Sequence, residues 1–218
     1  MGLSPANPRP ADGTALAGAP LERASLAVVV VHGRDQDPQW MLENLVLQLD
    51  LPHAAFILPE AENNTWYPGR FFDREAENEP WVRRALACCT RAVGLAEAAG
   101  VPVERIALAG FSQGACLVAE LLAREPRPYA AAAILTGGLF GTEEEVHVPR
   151  GSLDGLPMLI TGHLDDDWVP VPRVERTAQL FREAHARVEL AIHDDPEHQI
   201  NEDEVAAVRR LLVEAGAR

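Results

Sequence analysis

A chain of 218 residues with 47 % hydrophobic and 24 % charged residues carries enough apolar material for one α/β-sized core, and too much to stay disordered. Its formal net charge of −14 repels phosphate backbones and anionic lipid surfaces, which argues against nucleic-acid binding and polybasic membrane attachment. The three cysteines, Cys88, Cys89 and Cys116, are odd in number and two are adjacent, so no disulfide framework is implied and a reducing cytoplasmic setting is expected.

Residues 1–23 are rich in Pro, Ala and Gly and lack a long apolar run, so they read as a poorly patterned leader rather than a secretory signal, with one weak edge strand near Thr14 to Leu16. One domain is expected over 24–218. Its first strand, "LAVVVV" (26–31), is far too short to span a bilayer and runs into "VVHGRDQDP". A helix near Trp40 to Gln48 leads to a strand at "AAFILP" (54–59). Pro68 and Gly69 interrupt "TWYPGRFF", which is therefore expected to be a loop. A helix over Trp81 to Ala99 follows, then a strand at "RIALAG" (105–110) and a helix over Gln113 to Arg124. Further strands are expected at "AAAILTG" (131–137), "PMLITG" (157–162) and "RVELAIH" (187–193), with helices over Val171 to Ala186 and Asn201 to Ala215. The last opens "NEDE", a capping residue followed by acids in the first turn. Most of the strands are apolar throughout, as expected where both faces of a parallel sheet are covered. The alternation predicts an α/β fold: a doubly wound, mostly parallel sheet with helices on both faces and functional loops beyond the C-terminal strand ends.

Gly110-Phe111-Ser112-Gln113-Gly114 has the G-x-S-x-G pattern between a strand and a helix. Glycines on both sides of Ser112 leave room where a strained turn packs helix against strand, and the helix start directs backbone N–H groups toward an anion beside the serine. The bland alternative is a glycine-rich packing turn with a serine cap. A serine nucleophile needs an acid and a base later in the chain, in that order. Asp165, Asp166 and Asp167 follow the strand at 157–162, and His198 precedes the last helix. His193, at a strand end, competes with His198; His53, His147 and His185 read as solvent-facing, and His163 lies too near the aspartates to be the separate base. The backbone amides of Arg34, after the His32-Gly33 turn, and of Gln113 are candidates for an oxyanion hole, with His32 itself read as a buried structural residue.

"HGRDQDP", "TWYPGRF", "NEPW", "GFSQGA", "TGG" (136–138), "DDWVP" and "HQINEDE", in that order, resemble the phospholipase/carboxylesterase family of α/β-hydrolases, the group that contains acyl-protein thioesterases, and come nearest to a bacterial branch of small esterase-like proteins. The resemblance implies an α/β-hydrolase fold, Ser112 as nucleophile, His198 as base, Asp166 as acid, the Arg34 and Gln113 amides as oxyanion hole, and no cofactor or metal. It departs from the family pattern at Asp35, where a glycine is usual, in the choice among Asp165, Asp166 and Asp167, and in "DDPE" (194–197) before the base.

The function this implies is a serine esterase or thioesterase acting on small to medium acyl or aryl substrates, with Trp66, Tyr67, Phe71, Phe72, Trp81 and Trp168 as the pocket wall. Arg34, Arg70 and Arg74 could attract a carboxylate or could simply be solvated. The expected partner is a small-molecule ester, with no nucleic acid and no membrane span; the oligomeric state is not legible. Two rival functions share the scaffold: a catalytically idle binding protein, favoured by Asp35 and "DDPE", and a cofactor-free perhydrolase.

Overall fold

The apolar runs pair side by side in the order β1-β3-β2-β4-β5-β6-β7. The computed structural model describes residues 13–142, 144–195 and 197–217. Within it β2 (Leu26–Val31), β3 (Ala54–Leu58), β4 (Ile106–Phe111), β5 (Ala131–Leu135), β6 (Pro157–His163) and β7 (Arg187–His193) are all parallel. The edge strand β1 (Ala15–Gly18) is antiparallel to β3, pairing Ala15 with Leu58 and Gly18 with Ala55. The sheet therefore begins inside the segment read as a leader, ahead of residue 24.

Successive residues of β2 alternate between two cores, Ala27, Val29 and Val31 facing one and Val28 and Val30 the other. Valine suits both faces because its branched side chain packs well on a pleated surface. On the first face lie α4 (Trp81–Ala98), α5 (Gln113–Arg124) and α6 (Val171–Glu183), through residues such as Val82, Cys89, Leu117, Leu122, Val174 and Phe181. On the second lie α7 (Glu202–Gly216), through Val205, Val208 and Leu212, and a helix that runs from α1 (Pro38–Met41) through a π turn (Leu42–Val46) into α2 (Leu47–Leu49). That helix starts earlier than its apolar pattern predicts because Asp37 accepts from the Trp40 amide and Pro38 pre-sets the first turn. A short α3 (Glu75–Asn78) interrupts the long loop between β3 and α4.

Parallel pairing gathers the loops after β2, β4, β6 and β7 beyond the same sheet edge. At the outer edge β7 exposes alternate residues, whereas β2 to β6 are buried along their lengths. Among the described residues no helix is long and apolar enough to cross a membrane.

Candidate active site

Ser112 occupies the corner between β4 and α5 with φ 52° and ψ −116°, a left-handed backbone that costs a non-glycine residue energy. The flanking glycines explain how the corner closes. A Cβ on Gly110 would stand 2.4 Å from the Gly114 carbonyl oxygen, and one on Gly114 would stand 2.2 Å from the Val31 carbonyl oxygen. Neither contact leaves room for a side chain, so the paired glycines let β2, β4 and α5 meet backbone to backbone.

The corner is pinned by the Ser112 amide, which donates to the Leu135 carbonyl at 2.9 Å. The hydroxyl of Ser112 lies 2.7 Å from His198 Nε2, and His198 Nδ1 lies 2.5 Å from Asp166 Oδ2. The other Asp166 oxygen accepts from the amides of Trp168 at 2.7 Å and Val169 at 2.9 Å. Burial pushes the Asp166 carboxyl up, but the His198 contact and these two amides together hold it below the usual carboxylate range. The carboxylate therefore stays charged and fixes which imidazole nitrogen bears the proton. The His198 ring also packs against Phe111, with centroids 5.2 Å apart, and Trp40 stacks on Phe111 at 5.4 Å.

The alternatives to these residues lie elsewhere. Asp165 and Asp167 are solvent-exposed. The His193 ring packs on His163 at 5.6 Å instead of approaching Ser112. His147, expected to face solvent, is half-buried against the Glu120 carboxylate on α5. His32 is fully buried; its Nδ1–H donates to the Gly33 carbonyl and its Nε2 accepts from the Ala61 amide, so both nitrogens are spent on holding the turn. Desolvation lowers its pKa, keeping the ring neutral.

The loop after β2 closes over the serine: a Cβ on Gly33 would come 3.2 Å from Ser112 Cβ. The Gly33 amide donates to Gln36 Oε1 and the Asp35 amide to the Asn64 carbonyl, leaving the Arg34 amide between them without a protein acceptor among the described residues. Asp35 has φ 57°, so the position where the family resemblance implies glycine does adopt the left-handed backbone that glycine favours. Its carboxylate accepts from the Thr65 hydroxyl at 3.2 Å, which fastens the loop to its neighbour. The Gln113 amide, at the first position of α5, has no intrahelical acceptor.

Ser112 and His198 border a cavity of about 170 Å³ whose lining includes Arg34, Gln113, Tyr67, Phe71, Arg70 and Trp168. Three of the expected wall residues are elsewhere; Phe72 packs its ring on Phe71 and against Arg70, off the cavity lining. Trp66 is buried, donating its indole N–H to the His32 carbonyl and its backbone amide to Gln113 Oε1. Trp81, exposed at the start of α4, borders a separate cavity of about 440 Å³ together with Trp66. Aromatic content alone could not separate these positions, because hydrogen bonds to His32 and Gln113 turn Trp66 inward and Trp81 opens α4.

The side chains of Arg34 and Gln113, whose amides are the oxyanion candidates, also hold this wall. The Arg34 guanidinium donates to the carbonyls of Tyr67, Pro68 and Gly69, and Gln113 Nε2 donates to the Tyr67 carbonyl at 2.7 Å. Asn78 accepts from the Gly69 amide and donates to the Arg70 carbonyl. These contacts join residues far apart in sequence, and no local motif signals them.

The sequence profile of the phospholipase/carboxylesterase family matches residues 17–214. The chain is similar to the solved phospholipase/carboxylesterase of Dyadobacter fermentans, at 33 % identity and a TM-score of 0.84, over 92 % of this chain and 95 % of that one. At 22 % identity it resembles the carboxylesterase of Mesorhizobium loti, with a TM-score of 0.74 over 94 % of this chain and 98 % of that one. At 18 % identity it resembles SOBER1 of Arabidopsis thaliana, with a TM-score of 0.71 over 87 % and 98 % of the two chains. The last two likenesses concern the fold alone.

Proposed function

The chain belongs to the phospholipase/carboxylesterase family of α/β-hydrolases, and from that premise we propose that it cleaves carboxylic esters, thioesters among them, of small to medium acyl or aryl groups through an acyl-serine intermediate. The observation that carries this reading is the continuous line of hydrogen bonds from Ser112 through His198 to Asp166 at the edge of a cavity.

Ser112 Oγ attacks the carbonyl carbon as His198 Nε2 takes its proton, and Asp166 stabilises the imidazolium that results. The carbonyl oxygen becomes an oxyanion, met by the amides of Gln113 and Arg34, where each donor is worth about 10²–10³ in rate. Collapse breaks the bond to the leaving alcohol or thiol, which receives the proton held on His198. Water, deprotonated by His198, then attacks the acyl-serine and releases the carboxylic acid. A cavity of about 170 Å³ is smaller than the roughly 300–1,000 Å³ of drug-sized sites, and its walls at Tyr67, Phe71 and Trp168 are aromatic, which favours short acyl or aryl groups. Cys88, Cys89 and Cys116 form no disulfide among the described residues, which suits a cytoplasmic setting.

Fluorophosphonate labelling followed by mass spectrometry of the modified peptide tests the nucleophile, with p-nitrophenyl esters from acetate to decanoate run in parallel. Ser112 is expected to carry the adduct, with turnover highest on the short esters. An unlabelled Ser112 together with no ester turnover would leave an idle binding protein, and a sharp optimum at long chains would overturn the size assignment.

A further inference from the structure

Three arginines stood near the site in sequence, and the structure separates them. The Arg34 guanidinium spends three of its five N–H donors, one on Nη1 and both on Nη2, on the backbone carbonyls of 67–69, which ties it to the wall. Arg74 is exposed and does not border the cavity. Arg70 does border it, on the same lining as Ser112 and His198.

The Arg70 side chain is solvent-exposed and stands against two aromatic rings. Acidic residues outnumber basic ones, 33 to 19, yet among the described residues no carboxylate lies within ion-pair distance of its guanidinium. Instead the guanidinium carbon lies 5.3 Å from the centroid of the Phe72 ring and 5.4 Å from that of Trp168. Two aromatic faces hold the side chain without using up its N–H donors, which lie at the edge of the guanidinium plane. The backbone beneath is equally restrained: the Arg70 amide donates to Asp73 Oδ2 and its carbonyl accepts from Asn78. A cation fixed in place, with unspent donors and beside a nucleophile, is built to receive an anion.

We infer that Arg70 is the specificity residue of this site, and that the preferred substrates are esters carrying a carboxylate, gripped by the Arg70 guanidinium while Ser112 attacks the ester carbonyl. This rests on the hydrolase reading above and names the substrate class within it. A planar carboxylate matches the guanidinium fork. A phosphate dianion matches it less well, because Asp35 on the same cavity lining, Asp73 at the Arg70 amide and the net charge of −14 all penalise a second negative charge.

The test compares kcat/KM on matched pairs, one rigid and one flexible. 4-Acetoxybenzoate against 4-acetoxybenzamide places the charge on the leaving group, and mono-p-nitrophenyl adipate against p-nitrophenyl hexanoate places it on the acyl group, with the Ser112→Ala rate subtracted throughout. In at least one pair the wild type is expected to favour the carboxylate about tenfold, mainly through KM. Arg70→Gln should collapse that ratio toward one, Arg70→Lys should keep only part of it, and Asp35→Asn should enlarge it. Raising the salt from 20 to 500 mM should shrink it. Equal or lower rates on both carboxylate esters, or a ratio unchanged in Arg70→Gln, would overturn the inference while turnover of the neutral esters left the hydrolase reading standing. No turnover of any ester would bring down both.

Discussion

Two histidine–carboxylate–hydroxyl groupings lie near the C-terminal edge of the sheet; one borders the cavity of about 170 Å³, and the other is packed into the interior. In the first, Ser112 meets His198 and His198 meets Asp166. In the second, the Thr161 hydroxyl donates to Glu204, Glu204 Oε2 lies 3.6 Å from His163 Nε2, and His163 Nδ1 lies 3.1 Å from the Asp195 carbonyl. The chemical inventory is nearly the same. The wiring differs: the serine hydroxyl addresses the imidazole, whereas the threonine hydroxyl addresses the carboxylate. Access differs as well, since His163, Glu204 and Thr161 are fully buried while Ser112 and His198 are half-buried beside open space.

The backbone accounts for both differences. Ser112 projects from a left-handed corner beyond the end of β4, but Thr161 is an ordinary residue within β6, its side chain turned into the packed interior. Glu204 serves there as the third residue of a capping box, accepting from the Asn201 amide at 3.0 Å while Asn201 accepts from the Glu204 amide at 2.9 Å. The second grouping thus fastens the start of α7, four residues beyond His198, to β6 beside the edge strand β7. One trio is arranged for reaction and the other for support.

Exchanging the hydroxyls' fates is the sharpest way to break this contrast. Ser112→Ala should reduce kcat/KM on a short p-nitrophenyl ester by about 10⁴–10⁶ while leaving the denaturation midpoint nearly unchanged. Thr161→Val should do the reverse: about 1–3 kcal/mol of stability lost, because a buried carboxylate oxygen and the Thr136 amide lose a partner, with turnover per folded molecule largely kept. A stable but inactive Thr161→Val protein would show that the second trio takes part in the chemistry.

The carboxylates should split in the same sense. Asp166→Asn keeps the shape but removes the charge that fixes the His198 tautomer, and should cost about 10⁴ in kcat. Glu204→Gln should instead cost about 2–4 kcal/mol of stability, measured by urea denaturation, as a buried partner of His163 disappears. Comparable activity losses from the two changes would erase the distinction drawn here.

The smallest effect expected is a pH dependence. The Glu204 carboxylate, outweighing burial, raises the His163 pKa above its ordinary 6.5, so the native state binds that proton more tightly than the unfolded chain. The stability this contributes is fully present below about pH 6.5 and disappears as pH rises through the raised native value. For Asp166, whose native pKa is depressed below 3.8, the contribution is present above that value and is lost as pH falls through the native one. Denaturation midpoints from pH 5 to 9 should therefore decline toward the alkaline side in the wild type and flatten in His163→Gln. A decline of equal size in both would assign it to another group.

Much of this contrast was hidden in the sequence. His163 and His193 stand at the ends of adjacent strands, and apart from the resemblance His198 could be preferred over His193 only by its place before the last helix. The three consecutive aspartates offered no local ground for choosing Asp166, which rested on resemblance. Trp66 and Trp81 were expected at the pocket because they are aromatic and flank the right loop; burial of Trp66 under His32 and the start of α4 at Trp81 carried them away from it.

The sequence by itself determined the alternation of strands and helices and the strained corner at Ser112, because both depend on local causes: hydrophobic period and the glycines that a backbone-to-backbone contact demands. Only the tertiary structure decided which histidine reaches the serine, which aromatic rings line the cavity and which arginine keeps its donors. Those outcomes depend on distances of about 3 Å between groups as much as 86 residues apart, and the order of strands in the sheet sets them.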